Sequence, residues 1–348
     1  MIFSRSKRSF KAVALTLIIF LLFFLIIAST FIGSVKISFN EVLVVFWNQM
    51  PFLPHIRLTG QSQAAYEIIA FLREPEILGG VMVGISLGIG GAVIQSIFRN
   101  PITEPYIVGI SGGASLGAVL AIVLGISILG LYSIQIFAFI FSLLAVLIIY
   151  GFSYRKGAAN PTYLLLTGIA ISFFFSSLVA LLLFSNINLQ GEAYFWLLGS
   201  LQNITWTTFY PVFGIVSLGS VLLGLSYREL DALQLGEAHA RSVGVRVERM
   251  KAFSIGLVTL SVSAAVSVSG LIGFVGLIMP HVSRQIFGGS NRIVIPASGF
   301  LGAIFLLCAD DLARSVVTGV VIPLGIITGM IGVPFFLFMM RKLLNGRA

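Results

Sequence analysis

The 50 residues at 105–154 contain no Lys, Arg, Asp or Glu, and a water-soluble domain has little means of hiding so long an apolar stretch. Seven further charge-free runs lie at 12–35, 77–98, 157–191, 193–227, 252–283, 293–309 and 315–340. A bilayer core takes about 20 apolar residues per helix, so the 105–154 run must turn back on itself, near residues 125–132. Charged residues make up 9% of the 348 and apolar ones 58%, against about a quarter charged in soluble domains. The chain reads as an all-α, polytopic membrane protein forming a single transmembrane domain over 1–348.

The 157–191 and 193–227 runs each hold one span plus interfacial residues, broken at 185–188 and at Gln202-Asn203. The 252–283 run allows one tilted helix, or a span near 250–269 and a shorter one near 272–287, because Gly270, Gly273 and Gly276 interrupt it. The second choice makes ten helices. The first run follows Arg5, Lys7, Arg8 and Lys11 and exceeds the roughly 7–15 apolar residues of a signal peptide, so it is expected to persist as the first span. Residues 34–72, with Trp47, Pro51, Pro54 and Tyr66, are amphipathic. They are expected on the outer surface, as part of an entry rim or as interfacial aromatic anchors.

Ten spans put both termini on one side, and the basic residues say which. Seventeen of 21 fall on the cytoplasmic side, leaving only Lys36, Arg57, Arg73 and Arg314 outside. That bias accounts for the net charge of +9 without any nucleic-acid partner. Glu74, Glu76, Asp310 and Asp311 fall at outer helix ends, while Glu104, Glu229, Asp231, Glu237 and Glu248 fall in inner loops. Carriers driven by protons or ions place carboxylates at membrane depth, and no acidic residue is expected mid-span here. The phosphate-binding pattern G-x-x-x-x-G-K-[ST] is also missing from the sequence. An energised transporter of this kind therefore needs a partner.

Residues 228–251 are where a partner could push, because they gather nine of the 33 charged residues into 24 positions. The core at 235–244 reads as a short helix, a glycine break and a second short helix. Gly236, Ala240 and Gly244 are small enough to admit another backbone, and Glu237 and Arg241, four apart, can pair on a helix face. A solvated loop stabilised by that pair explains the same residues. Arg246, Arg249 and Lys251 read as ordinary positive-inside anchors. Cys308, the only cysteine, excludes an internal disulfide and reads as packing. His55, His239 and His281 stand alone, without a second ligand at metal spacing. No metal site is expected, and His281 reads as a hydrogen-bonded packing residue. No paired catalytic constellation is present either.

Several strings, in this order and spacing, make the chain similar to the permease subunits of ABC importers for iron-siderophores, haem and vitamin B12. They are the glycine-rich Gly84-Ile85-Ser86-Leu87-Gly88-Ile89-Gly90-Gly91 segment closing at Asn100-Pro101, then Gly109-Ile110-Ser111-Gly112-Gly113-Ala114. Gly273-Phe274-Val275-Gly276-Leu277-Ile278-Met279-Pro280-His281 is the most specific, followed by Ala309-Asp310-Asp311-Leu312-Ala313-Arg314 and Pro323-Leu324-Gly325 with Gly332-Val333-Pro334. The likeness runs over nearly the whole length.

The resemblance implies ten helices per subunit, a homodimer in the cytoplasmic membrane of a prokaryote, and both termini inside. It implies two ATPase subunits below, which bind the ATP and Mg, and a substrate-binding protein above. The chain itself would carry no cofactor and no enzymatic activity. Gly236, Glu237, Ala240, Arg241, Ser242 and Gly244 would form the coupling surface. Arg73 and Arg314 would dock acidic residues of the binding protein, although interfacial anchoring beside Glu74 or Asp311 explains them too. Glu76 departs from the family's Arg-x-Pro-Arg, which alters the contact pattern there. Asn160, Pro161 and Thr162 would form a cytoplasmic gate, or simply a helix cap with proline in its first turn. The cargo would be a metal chelate, with oxyanions such as molybdate also open. The competing function is a secondary carrier or channel that works without ATP.

Overall fold

Within a bilayer the backbone must satisfy its own hydrogen bonds, which leaves helices as the default. The computed structural model describes residues 2–345, apart from Ser34, Leu53, His55, Arg57, Thr59, 127–129, 156–157 and 318–319. The expectations for His55, Arg57, Lys156 and Arg347 lie outside the described residues. The order is α1 (Ile2–Ser29), α2 (Phe39–Gln49), α3 (Gln61–Glu67), a π-helical turn (Ile68–Arg73), α4 (Glu74–Phe98), α5 (Ile110–Val123), α6 (Ser133–Ser153), α7 (Pro161–Ser185) and α8 (Gln190–Leu197). The remainder is α9 (Trp206–Leu225), α10 (Tyr227–Gln234), α11 (Glu237–Ser242), α12 (Val247–Ser269), α13 (Val275–Phe287), α14 (Asn291–Ser315) and α15 (Leu324–Asn345). A two-residue antiparallel hairpin, β1 (Tyr154–Arg155) and β2 (Ala158–Ala159), joins α6 to α7.

Eight helices among the described residues are long and apolar enough to cross a membrane, so the chain is a multi-pass membrane protein. The other two expected spans are the shorter α5 and α13. The expected breaks occur where they were placed: α5 ends before residue 125, α7 ends at Ser185, and 252–283 divides between α12 and α13. The second span differs. It begins at Gln61 rather than after residue 72, because α3, the π turn and α4 run on as one helical stretch, Gln61–Phe98. In the amphipathic segment, Ser38 caps α2 through a reciprocal pair with Glu41. The Ser38 hydroxyl and amide donate to Glu41 and hold its carboxyl below the usual carboxylate range.

Helix α4 is the buried axis, packed against α14, α12, α13 and α9. Lipid tails are as apolar as leucine, so association inside a membrane draws on close backbone approach and hydrogen bonds rather than on escape from water. Gly88 supplies that approach: a Cβ there would lie 2.1 Å from the Ser298 carbonyl oxygen of α14. Gln95 adds polar contacts, donating to Leu277 O at 3.1 Å and Thr103 O at 3.2 Å, and accepting from Arg284 of α13. By contrast α1, α7 and α15 are mostly open on this single chain. Cys308 lies on the exposed face of α14, where it packs against no core.

Three irregular segments near 199, 270 and 322 satisfy one another. Ser200 N donates to Ser269 O at 2.8 Å, Leu324 N to Gly199 O at 2.8 Å, and Gly325 N to Leu198 O at 2.9 Å. Tyr106 adds a bridge, its hydroxyl donating to Ile272 O and accepting from Ile272 N. Broken helices are tolerated at membrane depth when their free backbone groups find partners inside the protein. Substituting Gly88→Ala should lower the thermal midpoint in detergent by an amount equivalent to about 1–3 kcal/mol, the typical cost of overpacking. Gly151→Ala, where an added Cβ meets nothing within 4 Å, should leave the midpoint unchanged.

Candidate coupling site

The 228–251 segment folds as the spacing predicts, into two short helices around a glycine. Gly236, at φ +124°, breaks the chain between α10 and α11 in a conformation that β-carbons resist. Gly244, at φ +86°, ends α11 in a Schellman motif. Its amide donates to Arg241 O at 3.1 Å, and Val245 N donates to Ala240 O at 2.9 Å. Gly236 and Gly244 thus shape the segment, in addition to being small.

Its exposed side presents Ala238, His239, Arg241, Ser242 and Gly244, together with two side chains that composition does not single out. Leu235 is 73% and Val243 58% exposed. Apolar side chains bared amid charge mark a contact surface. Their signal in sequence is an apolar residue on each flank of the polar 236–242 stretch. Ala240 faces the other way and is fully buried, seating α11 on the bundle.

Beneath α11 lies a balanced set of charges. Arg241 Nη2 is 3.5 Å from Glu237 Oε2 and 3.6 Å from Glu248 Oε1, so the expected Glu237–Arg241 pair is present. Glu237 has a closer partner, however, since its Oε1 is 2.6 Å from Lys251 Nζ. Lys251 is 1% exposed, which corrects its reading as a membrane-surface anchor. A long cationic side chain ordinarily keeps its head in water, and this one is drawn inside by two carboxylates. From α10, Asp231 caps α14. Its carboxylate accepts from Asn291 N at 2.7 Å and Ser290 Oγ at 3.1 Å, a role that Ser290's own side chain does not take.

The three expected gate residues lie at the start of α7. Asn160 Oδ1 accepts from Thr162 N at 2.8 Å, and Pro161 occupies the first helical position, so the residues do form a cap.

Arg73 and Arg314 lie at the other end of α4, whose 25 residues run about 37 Å at 1.5 Å per residue. Both are buried, at 4% exposure. Arg73 donates to the backbone oxygens of Thr30 and Val35, while its neighbour Glu74 accepts from Gln49 at 2.6 Å. Arg314 sits among three carboxylates: Asp310 at 2.8 Å, Asp311 at 2.8 Å and Glu76 at 3.5 Å. Ser29 of α1 donates to Asp311 at 2.7 Å. Glu76, Asp310 and Asp311, expected at helix ends, are therefore turned into the bundle, and Glu76 ties α4 to α14. His281 pairs with Gln285 at 2.8 Å.

A helical, multi-pass bundle with a charged, partly apolar surface segment between two spans defines a membrane transport subunit. The FecCD transport family matches residues 21–342, and the chain belongs to that family. It is 38% identical over 283 residues to the cobalamin import system permease protein BtuC of Halobacterium salinarum, covering 81% of this chain and 75% of that one. It is 35% identical over 329 residues to the hemin transport system permease protein HmuU of Yersinia pestis, covering 93% and 94%. Among solved structures, one described as an inward-facing conformation of a metal-chelate type ABC transporter aligns with a TM-score of 0.75 at 30% identity. It covers 87% of this chain and 98% of that one.

The buried Arg314 cluster has a measurable consequence. Removing one partner of a buried ion pair leaves uncompensated charge and costs about 3–5 kcal/mol, so Arg314→Met should markedly reduce the fraction surviving heating on size exclusion. Adding Glu76→Gln and Asp310→Asn to Arg314→Met should recover most of the loss.

Proposed function

We propose that this chain is the membrane-spanning permease of an ATP-binding-cassette importer for a bulky metal chelate of the haem, cobalamin or iron-siderophore class. The observation that carries this reading is the α10–α11 segment: exposed apolar and charged residues on one side, helix-capping and ion-pair contacts to α12 and α14 on the other. In this reading two copies enclose the cargo path, and the open faces of α7 and α15 are available for that pairing. Two ATPase subunits, which hold the ATP and Mg, seat on Leu235, Arg241, Ser242, Val243 and Gly244 at the cytoplasmic face. Both termini lie on that same side of a prokaryotic cytoplasmic membrane.

Closure of the ATPase pair displaces α11 and swings the 160–162 gate. An extracytoplasmic binding protein delivers the cargo to the opposite rim. With Arg73 and Arg314 engaged internally, their docking role requires that the binding protein either release them or meet the rim through neighbouring residues. The buried carboxylates there face Arg314 as ion-pair partners, an arrangement that serves structure rather than a proton relay.

Reconstitution in vesicles tests this reading, with hemin and cyanocobalamin as probes. ATP-driven uptake of at least one should require the ATPase partner and a binding protein. Uptake that persists without ATPase and ATP would identify a self-sufficient carrier instead. Leu235→Glu, on a side chain that is exposed and outside the ion-pair cluster, should cut ATP-driven uptake by about tenfold, within the usual range of coupling energies, and leave the thermal midpoint near that of the unmodified chain.

A further inference from the structure

Lys251, near the start of α12, touches more than the coupling helix. Its ammonium has three hydrogens and three acceptors around it: Glu237 Oε1 at 2.6 Å, Glu248 Oε1 at 3.3 Å and Ala159 O at 3.1 Å. The second oxygen of Glu248 accepts from Ala159 N at 2.8 Å. Both backbone groups of Ala159 are thus gripped by side chains of α12, and Ala159 itself is fully buried. The next residue is Asn160, whose side chain caps α7.

Two carboxylates, Glu237 and Glu248, face two cations, Lys251 and Arg241, so the cluster is neutral as a whole. Burying an ammonium this completely is a poor way to gain stability, because well-packed apolar residues often match or exceed a buried ion pair. Such a pair does fix register, since its partners cannot slide without stranding a charge. Along the covalent chain, α11 and Ala159 are almost 80 residues apart. Through Lys251 they are separated by one side chain.

We propose that Lys251 is the positioning residue that ties the coupling helix α11 to the first turn of α7, so that the two move as one unit. Displacement of α11 is carried by Glu237 to Lys251, by Lys251 and Glu248 to the Ala159 peptide, and from there to the Asn160 cap. Arg241, on the exposed side, bridges Glu237 and Glu248 and keeps the cluster from splaying. This linkage rests on the ATP-coupled reading above.

The test uses the full complex of permease and ATPase in nanodiscs, with Cys308→Ser removing the native thiol and a spin label attached at Tyr163→Cys. Tyr163 is half exposed on the first turn of α7. Label mobility is recorded without nucleotide and with ATP plus vanadate. With Lys251 present, mobility should change on trapping. With Lys251→Met, the change should vanish while the ATPase copurifies at the unmodified ratio and the complex still elutes as a single folded species. Lys251→Arg, which keeps a multidonor cation, should restore part of it.

Should Lys251→Met alone not fold, Glu237→Leu with Lys251→Met removes both partners of the 2.6 Å pair and leaves Arg241 facing Glu248. The same loss is then expected. A full nucleotide-dependent change in a folded Met variant overturns the linkage alone. Absence of ATPase from the unmodified complex, or of any nucleotide effect in it, overturns the ATP-coupled reading and the linkage with it.

Discussion

Everything in this bundle depends on how closely α4 and its neighbours can bring their backbones together. Water rewards apolar burial, whereas lipid offers a helix surface much the same environment as another helix does. Cohesion must come from contacts that lipid cannot reproduce. Gly88 against Ser298 is one, and the Gln95 amide reaching the backbone of α13 is another. Around this axis the protein tolerates broken helices near 199, 270 and 322, because their free amides and carbonyls meet one another.

The buried charges are distributed with equal economy, at opposite ends of α4. At one end Arg314 gathers Glu76, Asp310 and Asp311 and ties α14 to α4 and, through Ser29, to α1. At the other, Lys251 gathers Glu237, Glu248 and the Ala159 carbonyl and joins α11, α12 and the approach to α7. A charge inside a membrane protein that has partners on several elements specifies how those elements sit relative to one another. The two clusters thus hold the ends of the bundle in register, while the middle relies on shape.

Much of this was legible in one dimension. Charge-free runs located the spans because an apolar helix of the right length can hardly do anything else, and glycines at 270–276 marked the division of α12 from α13. The polar density of 228–251 marked a surface segment between spans. Less legible was the second span: residues 61–72 read as part of the amphipathic outer segment although they continue the helix. Partners inside the bundle, Thr30 O for Arg73 and Arg314 for Glu76, offset the penalty that its buried charges would otherwise bring. Ala240, chosen for its smallness, turns inward, whereas Leu235 and Val243, unremarkable as sequence, turn out.

Composition and spacing by themselves determined that this chain crosses a membrane many times, where it turns, and that one polar helical segment stands apart from the rest. These follow from transfer free energy and helix geometry, which are local properties. Only the tertiary structure decided which charges face solvent and which face each other. Lys251 looks like any juxtamembrane cation in sequence, and Arg314 like any interfacial one. Each became a buried junction because one distant partner, Ala159 for Lys251 and Glu76 for Arg314, joins the carboxylates nearer in sequence, and pairing at that distance is a property of the packed bundle.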